Sequence, residues 1–260
     1  MKKQRGRYVS FSPSEPGQAV SAESGFGTEM REHLVRAQHH NEAVLASVTA
    51  RMLVTCRDGS LIHTGGSGHS LALVMETFYR AGGLACVNPL YHPGLLPLHG
   101  AAASTIIERA DGFARILSEE AAPQDGDLAF VFSNSGTNPV PVQLALQMRK
   151  AGAEVVAVTS SQASEAAPTR AGQKLADIAD YVLDTLVRPG DASYPATAPR
   201  TGALSSLICV YLWQLLLARL SDRAETEGIA LPLWRSNNAP GGEEHNAKLA
   251  ERYRSRIHLL

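Results

Sequence analysis

At 260 residues and 44% hydrophobic, the chain is long enough to bury a sizeable core and reads as one large α/β domain with additions. Its net charge of -1 supplies no basic field for nucleic acid or an anionic membrane surface, so the expected partner is a small molecule. Cys56, Cys86 and Cys209 stand far apart without C-x-x-C spacing, which argues against a disulfide framework or a thiolate metal site and points to a reducing cytoplasm.

Residues 1–27 are rich in Ser, Gly, Pro and Glu and lack the roughly 7–15-residue apolar block of a signal peptide, so they read as a flexible tail before a single domain over 28–260. Helical periodicity then covers 29–57, followed by an apolar run "LIHTG" from Leu61, a helix near 70–81 and a second run "LACVN" from Leu84. A helix near 101–121 leads to "LAFVF" from Leu128, a helix over 139–151 to "VVAVT" from Val155, and "YVLDT" follows from Tyr181. Two more helices are predicted near 202–227 and 242–256. The first of these contains "LICVYLWQLLLA", Leu207 to Ala218, which is shorter than the roughly 20 residues of a membrane span and is interrupted by Gln214. It reads as a helix buried in the core or at a subunit contact, with no membrane partner.

Short apolar runs alternating with helices build a parallel sheet, whose ligands bind beyond the carboxyl ends of the strands. Three of those ends carry similar residues: "GGSGHS" at Gly65–Ser70, "SNSGTN" at Ser133–Asn138 and "TSS" at Thr159–Ser161. Glycines let the backbone turn tightly, hydroxyls donate hydrogen bonds, and the following helix presents free N–H groups and a positive dipole end to an anion. Any one loop could be helix capping alone. Three at converging strand ends describe a phosphate cradle. No P-loop Lys-Ser/Thr is present and Gly66-Ser67-Gly68 lacks the third glycine of the dinucleotide pattern, so a compact phosphomonoester fits better than a nucleotide.

Gly66-Ser67-Gly68-His69-Ser70 resembles the G-x-G-x-S of the sugar isomerase (SIS) domain family, and Ser133-Asn134-Ser135-Gly136 resembles its S-x-S-G phosphate loop. "HSLALVMETFYRAGG", "VNPLYHPGLLPLHGA", "FSNSGTNPVPVQLA", "RPGDA" and "GGEEHNAKLAERYRSRI" extend the resemblance, in order, over about residues 30–257, to a single-domain bacterial subfamily of that family. The resemblance implies a three-layer α/β/α sandwich around a five-stranded parallel sheet, helical extensions at both ends, and a homodimer with the sugar phosphate at the subunit edge. It also implies that Ser133, Ser135 and Thr137, with Asn134 and Asn138 in the same loop, hold the phosphate. Ser70, with Gly66, Ser67 and His69, sits beside the sugar, and Thr159 or Ser160 completes the cradle.

Catalysis requires a base to remove the proton next to the open-chain carbonyl. Glu76 either points back to the sugar or pairs with Arg80 at i+4. Glu108 and Asp111 lie three apart, on neighbouring positions of one helix face. The muramic acid phosphate etherases are similar here, with a catalytic Glu in a V-E-G stretch; the matching triplet is Ala110-Asp111-Gly112, and its shorter Asp leaves Glu108 as the stronger choice. His245, opening the last helix, is a candidate for opening the sugar ring if a C-terminal element reaches a partner's site; "GGEEHN" is otherwise an acidic helix start. His39 and His40 read as a solvated face. The histidines form no H-E-x-x-H or Cys/His cluster, and neither metal nor cofactor is expected.

The expected function is therefore a phosphosugar-binding enzyme. A lyase that eliminates across C2–C3 of an N-acetylated amino-sugar 6-phosphate is favoured by the etherase-like segment and by the absence of a duplicated SIS domain. An aldose–ketose isomerase and a non-catalytic sugar-phosphate sensor are the alternatives.

Overall fold

The computed structural model describes residues 25–260. Gly25, Phe26 and Gly27, expected in the tail, already belong to the first helix; the rest of that expectation lies outside the described residues. Helices α1 (Gly25–His40) and α2 (Glu42–Arg57) replace the single helix expected over 29–57. The break falls at Asn41, which is 2% exposed. Its amide nitrogen donates to the carbonyls of Ala37 (2.7 Å) and Asp184 (2.8 Å), while its oxygen accepts from the Asp184 N–H (2.8 Å). An asparagine side chain thus satisfies the free edge of the last strand as a neighbouring backbone would.

Strands β1 (Ile62–Gly66), β2 (Val87–Leu90), β3 (Leu128–Phe132), β4 (Glu154–Thr159) and β5 (Tyr181–Asp184) form one parallel sheet in the order β2-β1-β3-β4-β5. Residues of β1, β2 and β3 are buried throughout, because helices cover both faces, which is why these strands read as continuous apolar runs. Pro89 in β2 lacks an N–H and sits on an edge strand, where the ladder tolerates it. Leu84, expected to begin this strand, instead makes an isolated bridge to Leu233.

After β1 the chain crosses to β2 on one side through α3 (Leu71–Thr77), and later runs β3, α6 (Pro139–Lys150), β4 towards the other side. Right-handed crossovers in opposite directions put the helices on opposite faces. Helices α2, α3 and α9 (Ser205–Glu227) pack together on one, and α5 (Phe113–Ala121), α6 and α8 (Leu175–Ile178) on the other. The direction of winding reverses between β1 and β3, and their carboxyl ends open the crevice in which doubly wound folds bind ligands.

The helix expected over 101–121 is also two, α4 (Ala101–Ile107) and α5, because Gly112 adopts φ +79°. Helix α7 (Ser161–Ala166), α8 and a hairpin of β6 (Ala192–Tyr194) and β7 (Thr201–Ala203) were not expected. Helix α9 buries Ile208, Leu212, Trp213, Leu216 and Leu220, with Trp213 edge-on to Phe130 at 5.1 Å. Gln214, the polar interruption in that run, donates to Glu76 at 2.8 Å. Among the described residues no helix is long and apolar enough to cross a membrane.

The last helix is α10 (Gly242–Tyr253). A Cβ at Gly242 would stand 2.1 Å from the Ser236 carbonyl, and Asn246 pairs with the N–H (2.9 Å) and carbonyl (2.8 Å) of Arg235. Beyond it, Arg256 grips Asp127, fully buried before β3, at 2.7 Å. Asp127 also accepts from His63 (3.0 Å) and from the N–H groups of Leu61 (2.8 Å) and Gln124 (2.9 Å). Burial alone would push its pKa up; these bonds outweigh burial and hold it well below the usual carboxylate range. The three cysteines are free and buried, with Sγ of Cys56 and Cys86 3.8 Å apart.

Candidate functional site

The backbone at the end of β1 fits only small residues. A Cβ on Gly66 would lie 3.0 Å from the Phe132 carbonyl and 2.9 Å from the Ser70 Cβ, so β1 and β3 run side by side into their loops without a side chain between them. Gly68 then turns the chain at φ +57° into α3. On the neighbouring strand, Gly136 adopts φ +60°, and its Cα faces Thr159 and Leu175 too closely for a methyl group to enter freely. This glycine lets the loop Ser133–Asn138 fold back over the end of β4 before Pro139 starts α6.

A cleft of about 470 Å³ opens above these ends. Ser67, His69 and Ser70 after β1, Ser133, Asn134, Ser135 and Asn138 after β3, and Gly190, Asp191 and Ser205 before and at the start of α9 line it. Glu108 enters between the first two groups. As the residue that ends α4, it is carried away from the α5 direction by the break at Gly112. Its Oε2 accepts from the Ser67 hydroxyl at 3.1 Å and its Oε1 from the Asn138 amide at 2.9 Å. Arg170 donates to the Asn138 amide oxygen at 3.2 Å, leaving the amide nitrogen to face Glu108. A carboxylate fixed at both oxygens, beside hydroxyls and a helix start, can accept a proton from a bound molecule without first reorienting.

Other expected residues lie elsewhere. Thr137 is buried one layer behind the cleft, its hydroxyl 3.4 Å from Ser135 Oγ. Thr159 and Ser160 are fully buried and do not line the cleft: Thr159 donates to the Asn134 carbonyl (3.2 Å), and Ser160 donates to the Val187 carbonyl (2.5 Å) while capping α7 at Ala163 (3.1 Å). Their hydroxyls shape the cradle from behind. Glu76 pairs with Arg80 at 2.5 Å and accepts from Gln214, the i+4 alternative of the two weighed for it. Asp111 is exposed and bonded to Gln143, so the helix break parts it from Glu108. His245 lies 3.0 Å from the Leu233 carbonyl and does not line the cleft of its own chain.

Asp191 and Ser205 were not singled out from the sequence. Asp191 lies in "RPGDA" and adopts φ +64°; its carboxylate accepts from the N–H groups of Leu204 (3.1 Å) and Ser205 (2.8 Å) and from the Ser205 hydroxyl (2.7 Å), capping the 23-residue α9 at the cleft. An Asp after Pro-Gly reads as turn punctuation, and only the fold brings it to the site. A larger cavity of about 900 Å³ lies across the same loop, lined by Glu29, Glu32, His33 and Arg36 of α1 and by Asp191. His33 is committed to the Thr185 carbonyl at 2.7 Å and Arg36 faces Glu32 at 3.8 Å. The smaller cleft is the candidate site because the strand-end hydroxyls and the held carboxylate converge there.

A family model described as the SIS domain matches residues 25–160. The UPF0309 protein of Listeria innocua is 34% identical over 222 residues, which cover 81% of this chain and 87% of that protein. The UPF0309 protein of Geobacillus kaustophilus is 32% identical over 238 residues, covering 89% of this chain and 94% of its own. Among solved structures, phosphoheptose isomerase from Neisseria gonorrhoeae superposes with a TM-score of 0.52 at 18% identity, over 76% of this chain and 97% of that one, a likeness of fold.

Proposed function

The chain belongs to the SIS domain family, and from that premise we propose that it is an enzyme that binds a hexose or amino-sugar 6-phosphate in this cleft and moves the proton next to the sugar carbonyl. One observation carries the reading: Glu108 is held by Ser67 and Asn138 directly beside the serine-rich loop at the start of α6.

In this reading the hydroxyls of Ser133 and Ser135 take the phosphate; the first turn of α6 lends no N–H, because Pro139 and Pro141 have none and those of Val140 and Val142 bond the Glu108 and Asn138 carbonyls. The open-chain sugar extends toward Glu108, with Ser70 and His69 beside its hydroxyls. Glu108 removes the C2 proton, and the electron pair moves onto the carbonyl oxygen, giving an enediolate where C2 carries a hydroxyl and an enolate where it carries an acetamido group. From the enediolate, return of the proton to C1 with transfer of the O2 proton to O1 gives the ketose. Expulsion of the C3 substituent gives an unsaturated product.

Elimination from an N-acetylated amino-sugar 6-phosphate, the outcome favoured from the etherase-like segment, retains Glu108 in the cleft but not Asp111. Isomerisation is the second reading, and one feature favours it: a single carboxylate can carry a proton between adjacent carbons, whereas a leaving group at C3 calls for an acid, and the oxygens of Asp191 are already engaged by Ser205 and Leu204. Incubation with a panel of sugar 6-phosphates, read by mass spectrometry, separates the outcomes. Loss of the leaving-group mass supports the lyase, unchanged mass with ketose formed supports the isomerase, and recovery of every sugar unchanged leaves a binding protein. The active species in this proposal is a homodimer with a shared site, in which His245 would act on the partner's sugar; full activity of a monomer in light scattering would overturn that part.

A further inference from the structure

A phosphate ester carries close to two negative charges at neutral pH, and the candidate cleft already holds the carboxylates of Glu108 and Asp191. Among the described residues no Arg or Lys lines it. Neutral hydroxyls meet only part of that charge, and the first turn of α6 adds no free N–H, so the residues just behind the loop matter. Arg170 lies there, in the connection between α7 and α8. Its Nη1 is 3.4 Å from the Thr137 hydroxyl and 3.2 Å from the Asn138 amide oxygen, and the Thr137 hydroxyl in turn points to Ser135 Oγ at 3.4 Å.

Three features separate Arg170 from an ordinary surface cation. It forms no ion pair among the described residues, where ten of the seventeen arginines do. Its two bonds both come from one nitrogen and are long, so the other donors of the guanidinium fork stay available. It also stands at the open end of a row of hydroxyls, Ser135 to Thr137, that ends in the cleft.

We propose that Arg170 is a specificity-determining residue of the site, the cation that selects a dianionic phosphate over a neutral sugar. The inference rests on the phosphosugar reading above. The exposed guanidinium faces the loop from outside while the phosphate lies against Ser133 and Ser135 inside, so its charge acts across the Thr137 and Ser135 hydroxyls and not by direct contact.

Calorimetric titration with glucose 6-phosphate, N-acetylglucosamine 6-phosphate and their free sugars tests it on wild type, Arg170→Gln, Arg170→Lys and Ser135→Ala. Binding of at least one phosphosugar by wild type should weaken about 10-fold or more in Arg170→Gln and recover in part in Arg170→Lys, which keeps the charge but not the fork. The salt dependence of binding should also flatten in Arg170→Gln, a change that a loop-propping role would not produce. Wild-type affinity and salt dependence in Arg170→Gln, with weakened binding in Ser135→Ala, would overturn the role of Arg170 and leave the phosphosugar reading standing. Failure of wild type to bind either phosphosugar would overturn both.

Discussion

Glu108 and Asn138, 30 residues apart in sequence, meet at 2.9 Å, with the amide nitrogen of Asn138 donating to Oε1 of the carboxylate. One residue ends α4 and the other precedes α6, so their meeting depends on the turn at Gly112 that lets α5 leave in a new direction. The pair joins the proposed base to the proposed phosphate loop.

Replacing Glu108 by Gln keeps the shape and an oxygen able to accept from Ser67 or Asn138, but removes the basic site. The expected loss in turnover is about 10²–10⁴-fold, with circular dichroism and melting temperature nearly unchanged. Steady-state rates on the sugar phosphate identified by mass spectrometry provide the measurement. A variant as active as wild type would assign the base elsewhere.

The loop makes a separate prediction about binding. Ser135→Ala removes a hydroxyl that lines the cleft, and with it a charge-assisted bond worth roughly 1.5–3 kcal/mol to a phosphate. Calorimetry should show phosphosugar binding weakened by about one to two powers of ten. If wild type binds the free sugar as tightly as its 6-phosphate, the loop is not a phosphate cradle.

The sheet was legible because strands buried on both faces leave continuous apolar runs, and "LAFVF" matches β3 residue for residue. The strand-end loops were legible because glycines and hydroxyls cluster there for backbone reasons. The helix breaks were not: 3.6-residue periodicity runs on past Asn41, whose role is to satisfy a strand 143 residues away. The break after Glu108 rests on the positive φ of Gly112, and a glycine inside an apolar pattern is equally compatible with an unbroken helix. That break decides which carboxylate reaches the cleft, so spacing alone placed Glu108 and Asp111 together. Thr159 and Ser160 carry the right chemistry at a strand end, yet their hydroxyls turn inward to carbonyls the sequence does not locate.

Asp127 predicts how stability depends on pH. Its pKa in the folded protein is held down by His63, Arg256 and two backbone N–H groups against the opposing effect of burial, whereas in the unfolded chain it returns to about 3.9. The folded state therefore binds fewer protons, and the stabilisation is present above the unfolded value and lost as pH falls below it toward the folded one. Urea denaturation from pH 7 down to pH 3 should show falling stability, and Asp127→Asn should lose roughly 3–5 kcal/mol at pH 7 and much of that pH dependence. A variant with the wild-type slope would place the acid sensitivity in other carboxylates.

Two glycines of positive φ, Gly112 before α5 and Gly136 in the proposed phosphate loop, separate a conformational cost from a packing cost. Gly112 at φ +79° has no atom within 4 Å of where a Cβ would stand, so Gly112→Ala should lose only the left-handed backbone penalty, about 1–2 kcal/mol. Gly136 at φ +60° carries the same penalty, but its Cβ would also stand 3.0 Å from Thr159 Oγ1 and 3.2 Å from the Leu175 Cβ. Thr159 is fully buried and bonded to the Asn134 carbonyl, and Leu175 is pinned by its N–H to the Gly136 carbonyl at 2.8 Å, so neither can retreat without moving the loop. The added methyl group must shift Ser135 and the start of α6. Gly136→Ala should therefore be less stable than Gly112→Ala by about 1–3 kcal/mol in chemical denaturation, and it should lose phosphosugar affinity while Gly112→Ala keeps it. Equal stability and equal affinity in the two variants would mean that the close approach at Gly136 does not hold the loop in its binding shape.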